Sequence, residues 1–125
     1  DVFKDNVFFQ ENIFSGLIDF YFSCNDFLAY DIALTINAWC FDDKNLFNKN
    51  RYQALIKGYE SQRKLTDEEK KSFSILLRGA SIRILITRLH DQLFHQDNAF
   101  VNAKDPHEYL TILKFHQQIN FREFY

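Results

Sequence analysis

The stretch that decides the fold is Asp1–Phe20, DVFKDNVFFQENIFSGLIDF. Val7–Phe9 and Leu17–Phe20 are short runs of aliphatic and aromatic residues, which favour a pleated, half-buried surface. Between them, Gln10–Gly16 carries Glu-Asn and Ser-Gly turn chemistry. The pattern predicts a β-hairpin of those two strands. The two ends of a hairpin lie side by side, so Asp1, Asn6 and Asp19 should converge at its base.

A carboxylate, an amide oxygen and a second carboxylate at one spot make a hard oxygen site. Such a set suits Mg²⁺, which takes one or two carboxylates and keeps positions for phosphate oxygens and water. A carboxylate held off the metal can accept a hydroxyl proton. This is the division of labour in kinase-type phosphoryl transfer, with one Asp for the nucleophile and an Asn and another Asp for the metal. The same residue types also serve as turn formers and helix caps, and D-x-x-x-x-N alone occurs in many proteins.

The rest of the chain reads as helical. Asn25-Asp26 offers a helix start with either residue as N-cap. Phe27, Leu28, Tyr30, Ile32, Leu34, Ile36 and Trp39 follow without a polar face, the mark of a buried helix. Asp42–Asn50 is polar and turn-like, and Arg51–Ser61 predicts a shorter helix. Thr66-Asp-Glu-Glu69 is a capping box opening a long helix. That helix bears two apolar stripes: Phe73, Leu76, Leu77, Ala80 and Ile84, then Ile82, Leu85, Ile86, Leu89 and Leu93. Two stripes predict contact on two sides and a central position. Gly79 within it costs roughly 1 kcal/mol against Ala, a hint of close packing there. Asn98–Asp105 reads as a loop, and Pro106 suits the first turn of a last helix carrying Tyr109, Ile112, Leu113 and Ile119. The fold class is α+β and mostly helical: one short hairpin plus four to five helices in a single domain, residues 1–125.

Composition narrows the function. With 46% apolar residues the 125-residue chain can bury a core, and 18% aromatics, mostly Phe, point to one built on rings. A net charge of −2 argues against nucleic acid held by a general basic field. Apolar runs such as Ile82–Ile86 are far too short to span a bilayer. Cys24 and Cys40 lack CxxC spacing and read as reduced thiols of a cytoplasmic protein. His90, His95, His107 and His116 lack zinc spacing, and no serine has triad company.

Three stretches, DVFKDNVFF (1–9), GLIDFYFSCNDFLAYDIALTINAWCFD (16–42) and LLRGASIRILITRL (76–89), closely resemble homoserine kinases built on the aminoglycoside-phosphotransferase and choline-kinase fold, a branch of the protein-kinase-like superfamily. The resemblance covers nearly the whole chain. It implies the C-terminal lobe of that fold, with ATP as co-substrate, Mg²⁺ as cofactor and the hydroxyl of L-homoserine as acceptor. Asp1 then matches the catalytic aspartate, Asn6 and Asp19 the magnesium ligands, and Asp31 a buried aspartate bracing the catalytic loop. A carboxylate on an otherwise apolar helix must indeed find donors. Around the acceptor, Tyr21, Asn25 and Asp26 follow the metal-ligand strand, and Arg83 could grip the substrate carboxylate or close a buried salt bridge with Asp26 or Asp31. Asn37 and Trp39 could line the pocket or pack in the core.

Family members carry a histidine two residues before the catalytic aspartate and a whole nucleotide-binding lobe before that. This chain has neither, lacks methionine, and places its three glycines, Gly16, Gly58 and Gly79, too far apart for a phosphate-covering loop. It therefore reads as a lobe cut at the catalytic loop and inactive alone. Choline or an aminoglycoside as acceptor, or a non-catalytic lobe that binds a partner or itself through the exposed face, are the competing expectations. Neither a membrane nor a nucleic acid is expected as a partner.

Overall fold

The computed structural model describes residues 2–21, 23–94 and 103–119. Near its start, Glu11 and Asn12 both take left-handed backbone angles, φ 50° and 64°. A two-residue loop of that kind matches the natural twist of paired strands. It joins β1 (Val7–Gln10) to β2 (Ile13–Leu17). The pairing is antiparallel, with Val7 opposite Leu17 and Gln10 opposite Ile13, and it slips between Phe8 and Phe9 so that Ser15 bulges from β2. The turn is thus shorter than the sequence suggests, and the return strand starts at Ile13 and ends before Ile18. Glu-Asn lacks the glycine that announces such turns, which hid five strand residues, Gln10, Ile13, Phe14, Ser15 and Gly16, inside an apparent loop.

Helix α1 (Leu28–Trp39) starts two residues later than its expected cap. Asp26 lies outside it and accepts the Phe27 N–H at 2.7 Å, so Phe27 is the N-cap. Helix α2 (Lys49–Gln62) is capped by Asn48, whose side chain accepts the Arg51 N–H at 3.0 Å. The capping box of α3 (Asp67–Leu93) forms in both directions, Glu69 N–H to Thr66 Oγ1 at 3.2 Å and Thr66 N–H to Glu69 Oε2 at 2.8 Å. Helix α4 (His107–Gln118) begins after Pro106, with Asp105 accepting the His107 N–H at 2.9 Å. Most of the expected Asn98–Asp105 loop lies outside the described residues.

The core forms where α3 meets both α1 and α4. Ile32, Ala33 and Ile36 from α1 bury against Phe73, Leu77, Ala80 and Ile84 from α3 and Tyr109 and Ile112 from α4. Phe41, Phe47 and Phe115 close its edge with ring centroids 4.9–5.5 Å apart. The second stripe of α3 departs from expectation. Leu85 packs against the core, but Ile82, Ile86, Leu89 and Leu93 are exposed. Gly79 is exposed as well, and a Cβ added there would meet nothing within 4 Å, so close packing is not its reason among the described residues.

Three buried polar side chains sit inside this core, one from each helix: Asn37, Ser81 and His116. Asn37 Nδ2 donates to the Leu77 carbonyl at 3.2 Å and to Ser81 Oγ at 3.0 Å. Its Oδ1 faces His116 Nε2 at 2.7 Å. Because the Asn37 amide nitrogen is already donating, its oxygen must accept, and the proton lies on Nε2. Burial, with the nearby Arg78 charge, pushes the His116 pKa down to about 4. The imidazole is therefore neutral in the folded state at pH 7.

A pH dependence follows. An unfolded histidine titrates near pH 6.5, so between that pH and about 4 the unfolded chain takes up a proton that the folded chain does not. Stability should fall as pH falls through that window, by roughly 3 kcal/mol over its full width. Urea midpoints taken at pH 7 and pH 4.5 check this, and His116→Gln should flatten the slope. Equal wild-type midpoints at the two pH values would contradict a buried neutral His116.

Candidate active site

The segment before β1 is held from two sides. Trp39, the last residue of α1, donates its indole N–H to the Val2 carbonyl at 2.7 Å. Asp5 pairs with Lys104 in the segment leading to α4, and that contact holds the Asp5 carboxyl below its ordinary range. Between these anchors Lys4–Asn6 form a single 3₁₀ turn, with the Asn6 N–H donating to the Phe3 carbonyl at 2.9 Å.

One backbone contact then closes the base of the hairpin. The Ile18 N–H donates to the Asn6 carbonyl at 3.0 Å, one step beyond the Val7–Leu17 pair. Asp19, the next residue, takes a left-handed backbone angle, φ 64°. Asn and Asp tolerate that region better than most residues, and non-glycine residues held there gather at functional sites. Asn6 and Asp19 thus stand at one end of the hairpin, Asn6 half-buried and Asp19 exposed. The sequence placed Asp19 on the return strand; it lies two residues past its end. Asp1 lies outside the described residues.

The donor chemistry fits a hard divalent cation. An amide and a carboxylate, the two oxygen donors expected to hold the metal, share the hairpin base. No cluster of three or more His, Cys, Asp or Glu capable of holding a metal forms among the described residues.

Asp31 is a correction. Expected to be buried, it is exposed on the first turn of α1. Ala29, Ile32 and Ala33 turn inward at that level and carry the helix's contact with the core, which leaves residue 31 on the outer side. Tyr21, Asn25 and Asp26 lie on the connection between β2 and α1, all exposed, and Asp26 is engaged with the Phe27 N–H. Arg83 is exposed on α3 rather than set among apolar side chains. Asn37 and Trp39 are structural, as the contacts above show. Arg88 is structural too: it donates to the Asp105 carbonyl at 2.8 Å and to Glu108 at 2.5 Å, over the Tyr109 ring.

Beside Lys4 a cleft of about 400 Å³ opens, walled in part by Asn37, Asp42, Asp43, Asp105 and Glu108. Sequence reading missed it, because its acidic residues come from two segments some sixty positions apart. Asp42 already accepts the Lys44 and Leu46 N–H groups, Asp105 that of His107, and Glu108 the Arg88 guanidinium. Those carboxylates therefore serve the loop and helix ends first. Cys40, buried nearby, has its thiol pushed up to about 12 by burial and is unreactive.

Comparison with known proteins places this geometry. The phosphotransferase enzyme family matches residues 1–65, which include the 3₁₀ turn, the hairpin and α1. The chain belongs to that family. Among its relatives, a protein of Sinorhizobium fredii named homoserine kinase is 53% identical over 119 residues, covering 95% of this chain and 36% of the relative. Homoserine kinases of Gluconacetobacter diazotrophicus and Xanthobacter autotrophicus are 52% and 48% identical, covering 94% and 100% of this chain and 36% and 39% of their own lengths. The chain thus spans little more than a third of the relatives it matches.

The left-handed angle at Asp19 gives a direct test of the site's backbone. Alanine in that region costs roughly 1 kcal/mol more than glycine. Asp19→Ala should therefore be less stable than Asp19→Gly by about that amount in urea unfolding. Equal stability of the two variants would mean that residue 19 does not hold this conformation.

Proposed function

We propose that this chain is the acceptor-side lobe of a kinase that transfers the γ-phosphoryl group of ATP to the hydroxyl of L-homoserine. The observation that supports the reading is the closure of the hairpin base, where the Ile18 N–H donates to the Asn6 carbonyl and brings the backbone next to Asp19 beside Asn6. Family membership and the shared name of relatives about half identical to the chain support it.

Each residue has a role in this reading. Asp1 accepts the proton of the attacking hydroxyl as the new O–P bond forms and the bond from the γ-phosphorus to ADP breaks. Asn6 and Asp19 would hold Mg²⁺, which when bound would neutralise phosphate charge. Tyr21, Asn25 and Asp26 stand on the adjoining connection and can reach an acceptor, with Arg83 a candidate for its carboxylate. The groups that grip the triphosphate belong to chain outside these residues, so the 125-residue piece alone should not turn over. No helix among the described residues is long and apolar enough to cross a membrane. Phe8, Phe9, Phe14 and Phe20 are exposed on and beside the hairpin. We assign that face to contact with the nucleotide-gripping lobe, with self-association the competing use.

In the longer protein, Asp1→Asn and Asp19→Asn should each lower kcat for homoserine-dependent ADP release by a factor on the order of 10³. Activity within tenfold of wild type in either variant would reject that residue's role. Faster ADP release with choline or an aminoglycoside than with homoserine would reassign the acceptor.

A further inference from the structure

The cleft beside Lys4 is lined by charges of both signs on two fixed mounts. Lys4 stands on the 3₁₀ turn that also bears Asn6, and Trp39 and Lys104 anchor that turn through Val2 and Asp5. Across from it, Asp43 and Asn45 belong to the loop that follows α1. That loop is bonded throughout. Asp42 Oδ1 accepts the Lys44 and Leu46 N–H groups, both at 2.9 Å. The Asn45 N–H donates to the Asp42 carbonyl at 2.9 Å, and the Asp42 N–H to the Leu46 carbonyl at 3.0 Å. The backbone is thus satisfied without the side chain of Asp43. Among the described residues neither Lys4 nor Asp43 makes a side-chain hydrogen bond or ion pair, with each other or with a third group.

The balance of charge selects a class of ligand. Asp42, Asp105 and Glu108 also line the cleft and add to the field of Asp43. A purely anionic ligand would be repelled by that excess of carboxylates, whereas Lys4 opposes a bare cation and offers an anion its only lysine among the lining residues. A small molecule carrying both an ammonium and a carboxylate complements the whole wall. At about 400 Å³ the cleft lies at the small end of ligand sites, which run roughly 300–1,000 Å³.

We propose that this cleft seats the head group of the α-amino acid acceptor, with its ammonium at Asp43 and its carboxylate at Lys4. The inference rests on the proposed function and deepens it, because it assigns specificity to residues outside the hairpin base. In L-homoserine two methylenes separate the hydroxyl from the carbon that bears both charges. A head group held in the cleft leaves that hydroxyl free to approach the turn that carries Asn6. Lys4, rather than Arg83, then takes the substrate carboxylate, since Arg83 does not line the cleft.

The test is the kinetics of ADP release by the longer protein, with Glu68→Gln on exposed α3 as a charge-matched control. Asp43→Asn and Lys4→Gln should each raise KM for homoserine by about tenfold or more, with kcat and the KM for ATP held within about threefold. Two truncated acceptors separate the two contacts: 4-hydroxybutyrate lacks the ammonium and 3-aminopropan-1-ol lacks the carboxylate. Asp43→Asn should erase most of the preference for homoserine over 4-hydroxybutyrate alone, and Lys4→Gln most of the preference over 3-aminopropan-1-ol alone. An unmoved KM for homoserine in both variants overturns the proposal. So does an equal loss of both preferences in each variant, or a rise in KM with Arg83→Gln that Lys4→Gln does not show. A wild-type protein inert toward homoserine rejects the proposed function and this inference with it. An active wild type whose KM is indifferent to residues 4 and 43 loses this inference alone.

Discussion

The interaction on which the rest of the structure depends is the hydrogen bond between Asn37 and His116, backed by Ser81. Three helices meet at one point, and each brings a polar group that cannot reach water. Apolar packing alone would let α1 slide or rotate against α3 at small cost, since hydrophobic contact is non-directional. The polar trio removes that freedom, because each buried group left without its partner costs roughly 1–3 kcal/mol. The neutral state of His116 belongs to the same constraint: a buried imidazolium would have to give up its hydration inside the core.

Fixing α1 in this way fixes what hangs from its end. Trp39 lies two residues past Asn37 and holds Val2 through its indole N–H. From that anchor the chain has only the 3₁₀ turn before it enters β1, so the position of Asn6 follows from the position of α1. The Ile18–Asn6 contact carries the placement across to Asp19. The helices thus form a rigid base, while the hairpin, largely exposed, relies on its ends for position. A site built at the hairpin's base rather than its tip sits on the part that the core holds most firmly.

Much of this was legible in the sequence. The capping box at Thr66 and the stripe from Phe73 to Ile84 marked α3 and its buried face, because both depend on neighbours three and four residues apart. The convergence of Asn6 with the segment around Asp19 followed from recognising a hairpin at all, although the turn was placed too broadly. What stayed hidden depends on distant partners. Nothing local to Asn37 or His116, 79 residues apart, shows that they pair. Asp31 was expected inside from the family resemblance and its apolar neighbours, yet Ala29, Ile32 and Ala33 carry the inward face and leave it outside. The exposed second stripe of α3 is the clearest divergence: the sequence carries the pattern of a two-sided helix, and only one side is covered by the described residues.

We propose that the hairpin base, not the acidic cleft beside Lys4, is where a divalent cation binds. Titrating the protein with Mn²⁺ and following backbone amide signals by NMR tests it most directly, since the paramagnetic ion broadens only nearby resonances. The account expects the earliest broadening at Asn6, Ile18 and Asp19. Broadening centred on Asp42, Asp43 and Asp105, with the hairpin base unaffected, would contradict it.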